Sequence, residues 1–213
     1  LVNRGVEFDL DLGRFDAIRT SFVLNGAMME SKSVTTQYTY MKQQNAGQDP
    51  DRIAVYDKGR GKKMERFNSA LRITHNIPEF RFAVTLIVQT IWWEKERNIG
   101  YDSLPIGYIS RATGDMHFMT KSERDDLAAA PNTTARRELV ESFAQGYHNV
   151  EKWKPLWLFN LRLQKDIGKN IGFAFLANNV FSHQPLLQST RYPTNYSRRN
   201  PELFFGTEVT VKF

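Results

Sequence analysis

The 213-residue sequence contains no cysteine. That excludes a disulfide framework and a thiolate-bound metal, and it leaves the redox compartment open. The chain also lacks any run of about 18 apolar residues, which excludes a transmembrane helix. A transmembrane sheet escapes that exclusion, because its strands need only about 9–11 alternating residues each. Histidine is scarce, and His75, His117, His148 and His183 show none of the close pairings that zinc sites use. No nucleophile or carboxylate partner can be assigned to any of them, so no enzymatic site, covalent chemistry or cofactor is expected. The opening LVNRGVEFDLDLG has neither a Met nor a basic stretch leading into an apolar one. It reads as a fragment or a processed piece.

Charge of one sign is in modest excess, at a net +6, but it is scattered. The clusters KGRGKK (58–63), RR (136–137) and RR (198–199) fall where loops are expected, which speaks against a nucleic-acid surface. KGRGKK also lacks the spacing of a phosphate loop and is read as a solvated charge run. Glu7, Asp9 and Asp11 form an acidic stripe that reads as one polar strand face rather than a cation site.

What the sequence does have is alternation. Val6, Phe8, Leu10 and Leu12 interleave with Glu7, Asp9 and Asp11, and a second strand follows from about Arg19 to Met29. Phe67, Leu71 and Ile73 oppose Asn68, Ala70 and Arg72. The longest strand sets Phe80, Phe82, Val84, Leu86, Val88 and Trp92 against Arg81, Ala83, Thr85 and Gln89. Trp157, Phe159, Leu161 and Leu163 oppose Asn160, Arg162 and Gln164; Ile171, Phe173, Phe175 and Ala177 follow. The chain closes on a strand whose apolar side is Phe205, Val209, Val211 and Phe213. A period of two marks strands with one apolar face, and about seven long ones are expected.

Their connections alternate in length. Tight turns are expected near 13–16, 76–79 and 168–170, and long loops at about 30–63, 96–155 and 183–200. All long loops then leave one end of an antiparallel up-and-down sheet, an asymmetry found in outer-membrane barrels and not required by a Greek-key sandwich. Trp92 and Trp157 stand where strands meet long loops, as interface aromatics do, while Phe80, Phe173 and Phe213 stand near the turns.

The long loops carry their own signals. TTQYTY (35–40) and RIAVY (52–56) suggest a hairpin, as does YISRATGDMHFMT turning at 113–115. Thr120 precedes Glu123 by three, a capping-box spacing that predicts a helix through about Ala129. Residues 133–145 place Leu139, Val140 and Phe143 on one helical face, which must pack either on the loop itself or on a partner. Tyr101, Tyr108 and Trp153 are aromatic faces suited to sugar rings or to loop packing.

The segments RFNSALRITHNIPEFRFAVTLIVQTIWWEKER and PLWLFNLRLQKDIGKNIGFAFLANNVF, with GVEFDLDLGRFDAIRTSFVLNGAMMES and the terminal FFGTEVTVKF, resemble the last strands of TonB-dependent outer-membrane transporters. They are most similar to the SusC-like branch, which imports glycans or peptides. The resemblance covers nearly all the strand segments and is weakest in the loops. It implies that residues 1–213 are about the last seven strands of a 22-stranded barrel, the plug and earlier strands lying outside this chain. It implies an outer-membrane location in a Gram-negative, Bacteroidota-type bacterium. It further implies energised uptake through TonB and the plug, and a SusD-like lipoprotein partner docking near Leu139, Val140 and Phe143. Phe205, Val209, Val211 and Phe213 would form the barrel-assembly signal. Arg72, Arg81, Gln89, Asn160, Arg162 and Gln164 would face the lumen, towards plug or solute. A passive porin or smaller outer-membrane barrel, and a soluble carbohydrate-binding β-sandwich, are the alternatives.

Overall fold

The structure is a computed structural model that describes residues 1–211; Phe213, expected to close the terminal strand, lies outside the described residues. The fold is all-β and antiparallel. In chain order the strands are β1 (Val2–Phe15), β2 (Thr20–Val34), β3 (Thr39–Met41), β4 (Arg52–Tyr56), β5 (Gly61–Ile77), β6 (Phe82–Ile99), β7 (Gly107–Ser110) and β8 (Met116–Phe118). Two helices follow, α1 (Lys121–Ala129) and α2 (Thr134–Leu139). Then come β9 (Glu151–Trp153), β10 (Leu156–Ile167), β11 (Ile171–Asn178), β12 (Leu186–Gln188), β13 (Tyr196–Arg198) and β14 (Phe204–Val211).

The chain divides into two compact units, with boundaries inside β1, β2, β5 and β6. The larger unit comprises 3–31, 64–96 and 151 onward. Its sheet runs β1-β2-β5-β6-β10-β11-β14, the seven long strands in sequence order, with β9 extending the line of β10 against β6. Register carries the apolar face across β6, β10, β11 and β14. Leu86 pairs with Leu161, Leu161 with Ala177 and Ala177 with Phe205. A second row runs Phe82–Lys165–Phe173–Val209. Because paired residues share a face, the alternation in each strand adds up to one continuous apolar surface. Much of it is exposed: Val6 is 72%, Phe205 56% and Val209 64% accessible. Among the described residues, β1 and β14 each have one neighbour, so both edges of the sheet are open.

The tight turns of this sheet are of two kinds. Two of them are single 3-10 turns, Asp16–Ile18 and Pro78–Phe80, each closed by an arginine in the left-handed region, Arg19 at φ 51° and Arg81 at φ 49°. In both, the arginine N–H donates to the carbonyl three residues back, Asp16 or Pro78, at 3.1 and 3.0 Å. Arg19 and Glu79 join the neighbouring turns as an ion pair. The first turn therefore falls about three residues later than the sequence suggests, since β1 runs on through Phe15. Phe80 lies in the turn and not on β6, because Pro78 at the start of the 3-10 turn interrupts the ladder there. The third turn, Gly168–Asn170, needs Gly168 at φ +65°, where a Cβ would be strained. In the sheet, a Cβ at Gly26 would meet the Phe8 ring at 2.6 Å, so the glycine is what lets that ring lie across β2.

The smaller unit comprises 1–2, 32–63 and 97–150. Both expected hairpins form here. They join in one four-stranded sheet, β3-β4-β7-β8, because β4 pairs with β7 (Ile53 opposite Ile109). Ala54, Tyr56, Leu127 and Leu139 are its core. The capping box is present: the Thr120 side chain accepts from Glu123 N–H, and Glu123 accepts from Thr120 N–H at 2.7 Å. The second helix is shorter than the 133–145 expected. It ends at Leu139, and Val140 is extended at φ −90°, ψ 120°. Phe143 is consequently off the helix.

Candidate functional site

The polar face of the large sheet is the surface on which the expected lumen residues meet. Register puts Gln89 opposite Leu158, Ile87 opposite Asn160, Thr85 opposite Arg162 and Ala83 opposite Gln164, all on the side away from Leu86 and Leu161. Arg72, Asn160 and Arg162 line a groove of about 410 Å³ with Thr74, Thr85 and Asn178. Thr74 and Thr85 are hydrogen-bonded hydroxyl to hydroxyl at 3.2 Å. Arg162 pairs with Glu208 at 3.2 Å, and Asn160 donates to Gln89 at 3.3 Å. Gln164 is exposed near the turn end. Arg81 departs from this set. Its backbone closes the β5–β6 turn, and its guanidinium donates to the Gly168 carbonyl at 2.7 Å, which ties two neighbouring turns together. It lies at the rim, not on the polar face.

The connection from β11 to β14 folds back onto this face of the same unit. It is not the plain loop expected: β12 and β13 pair as a hairpin, Leu187 opposite Ser197. Two anchors hold it. Asn179, fully buried and left-handed at φ 51°, donates its N–H to Asn160 Oδ1 at 3.0 Å and its side-chain amide to the Pro201 carbonyl at 2.8 Å. At the other anchor, the Glu151 carboxylate accepts from Ser189 Oγ at 2.5 Å, Thr190 N–H at 2.7 Å, Thr190 Oγ1 at 3.0 Å and Arg191 N–H at 3.4 Å. Burial alone would raise the Glu151 pKa. The donors from Ser189, Thr190 and Arg191 outweigh it and hold the carboxyl below its ordinary value. Arg191, itself buried, adds a bond to the Glu96 carbonyl at 2.7 Å.

Beneath this connection lies a cavity of about 270 Å³, lined by Asn68, Ser69 and Gln89 on the sheet and by Arg199, Asn200 and Pro201 from above. Arg66 lines it as well. Asn200 is oriented by donating to the carbonyls of Trp157 and His183 at 2.6 and 2.7 Å. Arg199 stacks over the Trp153 ring at 4.8 Å, so Trp153 serves as a platform for a guanidinium.

Trp92 and Trp157 meet edge to face at 5.3 Å, both partly exposed, with Trp92 Nε1 donating to Ser69 at 2.9 Å. Phe205, Val209 and Val211 are exposed along β14, and Phe205 stacks on Phe175 at 5.6 Å. Leu139 is 2% accessible, packed with Tyr56 and Leu127, so it is core and offers no docking surface. Val140 packs against that core, and Phe143 stacks on Tyr147 at 4.6 Å with Tyr101 edge-on. Tyr108 sits against His117 at 5.0 Å. Tyr101 and Tyr108 thus pack the loops, and burial pushes the Tyr147 hydroxyl up to about 12. Glu7, Asp9 and Asp11 are exposed along β1.

Sequence alone did not mark Glu151, Asn179, Arg191 or Arg199. Their partners lie up to about a hundred residues away in the chain, as with Arg199 and Glu94, so no local spacing signals them. Comparison with protein-family models, with curated proteins and with solved structures returned no match.

Proposed function

We propose that this chain is the C-terminal barrel portion of a TonB-dependent, SusC-like outer-membrane transporter that imports a glycan or peptide nutrient. The observation that carries it is the seven-stranded sheet in strict sequence order with one continuous, exposed apolar face. An apolar surface of that extent needs lipid or protein against it. The alternating connections put all the long loops at one end, as in outer-membrane barrels.

The dimensions agree with a bilayer. From Phe82 to Trp92 is ten residues along β6, about 33 Å at the usual strand rise. At a barrel tilt of about 40° that projects to about 25 Å, the height of the lipid-facing band of such proteins. The charge on this face fits too. Lys165 sits in the Phe82–Phe173–Val209 row at the turn end, where its ammonium reaches the Phe80 carbonyl in the turn. A long cationic side chain at an interface behaves in this way. The open edges at β1 and β14 suit a sheet continued by further strands, since unpaired backbone is not tolerated in hydrocarbon.

Within this proposal the plug, TonB and a SusD-like lipoprotein act through the rest of the assembly. With Leu139 buried, a lipoprotein would have to use other parts of the loops. The β-sandwich alternative is weakened by the same exposed face, which in a sandwich a second sheet of the chain would cover. The test is extraction: the protein should resist alkaline carbonate and high salt and should need detergent. Release by carbonate alone would refute a membrane-spanning sheet.

A further inference from the structure

We propose that the cavity beneath the β11–β14 connection is a binding site for a single carboxylate, carried by an acidic sugar or by a peptide C-terminus. Two arginines converge on one glutamate there. Arg66 Nη1 lies 3.7 Å from Glu94 Oε2, and Arg199 Nη2 pairs with the other oxygen of the same carboxylate. Glu94 is 12% and Arg199 21% accessible at the side chain. Two guanidinium charges against one carboxylate leave one positive charge uncompensated, with Arg66 37% accessible at its side chain and the other two groups better shielded.

The hydrogen bonding is short by two acceptors, as many oxygens as one carboxylate supplies. Arg66 Nε and Arg199 Nη1 are both buried and have no protein acceptor. Buried donors without acceptors are costly, and guanidinium geometry matches a planar, two-oxygen anion. The charge balance calls for one negative charge. Around the arginines, Asn68, Gln89 and Asn200 supply amide groups that suit hydroxyls or a peptide bond. A cavity of about 270 Å³ takes one sugar ring or the end of a short peptide and not a folded domain. Arg199 is held by Glu94 and the Trp153 ring, and the connection that carries it by Glu151 and Asn179. The inference deepens the transport proposal by naming a solute class, and it is testable without it.

The experiment is calorimetric titration of the full-length protein in detergent with trigalacturonic acid against galactotriose, and with N-acetyl-trialanine against N-acetyl-trialanine amide. At least one acid should bind about tenfold or more tightly than its neutral counterpart, the scale of a charge-assisted hydrogen bond, and the acid that does so identifies the source. Arg66→Gln should remove that preference, and Arg199→Gln should do the same. Glu94→Gln, which frees both guanidinium groups, should strengthen acid binding. Because Arg199 also supports the fold, Arg66→Gln and Glu94→Gln carry the test if Arg199→Gln is unstable. Equal binding of acid and neutral compounds, or a preference that survives Arg66→Gln, would overturn the site. Acid preference in a protein that needs no detergent would keep the site and sink the transporter; a membrane protein without the preference would do the reverse.

Discussion

An arginine placed on β14 separates a bilayer from water. Phe205 and Val209 are similarly exposed, at 56% and 64%, and lie on the same face. Their depths differ. Phe205 belongs to the row Leu86–Leu161–Ala177, while Val209 belongs to the row of Phe82, Lys165 and Phe173. Leu86 is four residues from Phe82 and six from Trp92, so its row lies about 10 Å from one aromatic level and about 15 Å from the other after tilt. Phe205→Arg therefore puts a charge near mid-bilayer, at a cost of about 2–4 kcal/mol, and Val209→Arg puts one near the interface, at about 0–1 kcal/mol. Phe205→Leu corrects for the lost stacking on Phe175, about 0.5–1.5 kcal/mol. The assay is guanidinium unfolding from lipid vesicles followed by tryptophan emission. In water, both exposed positions would accept arginine within about 0.5 kcal/mol. Equal costs at the two depths, after the leucine correction, would refute the membrane assignment.

Three further outcomes are expected. Tyr56→Phe should destabilise the smaller unit by about 1–3 kcal/mol, because it leaves the buried Leu139 carbonyl and the Gln43 amide without the hydroxyl they share at 2.7 and 2.8 Å; faster protease cutting within 100–150 is the readout, and an unchanged rate would contradict it. Glu151→Gln should speed hydrogen exchange at the Thr190 and Arg191 amides by about tenfold, and wild type should show the same loosening at acid pH. The sign follows from a depressed carboxyl: anchoring is complete above the ordinary value of 4.5 and is lost as pH falls through the lower folded value; loosening on raising the pH would be contrary. Glu123, held at about 2 by donation from the Thr120 backbone and hydroxyl and from His117, should show that midpoint in carboxyl 13C NMR, with a rise in Thr120→Ala, which removes the hydroxyl and keeps the backbone N–H; an unmoved midpoint would remove the Thr120 hydroxyl as a cause.

Strands were legible in the sequence because a half-exposed sheet writes its two faces as alternate letters. All seven long strands lie where the sequence placed one, with the alternation clearest in Val6–Leu12 of β1 and Trp157–Leu163 of β10, and Thr120–Glu123 marked α1 through one local bond pair. Boundaries were less legible. Arg19 and Arg81 adopt the left-handed conformation that glycine usually signals, so the residue that closes each 3-10 turn gave no sign of where the turn ends. The end of α2 was missed because the apolar spacing of Leu139, Val140 and Phe143 continues past the last helical residue. The candidate site was visible only on its sheet side, through Gln89, Asn160 and Arg162. Its roof depends on Glu151 meeting Ser189 and Arg199 meeting Glu94, pairings that only the folded chain creates.

The most direct test of the central claim is an antibody to the 101–150 loop, applied to intact and then to fractionated cells. The transporter account predicts surface labelling of intact cells and one outer-membrane band several times larger than a 213-residue chain. A band of 213-residue size in the soluble fraction, with no labelling of intact cells, would contradict it.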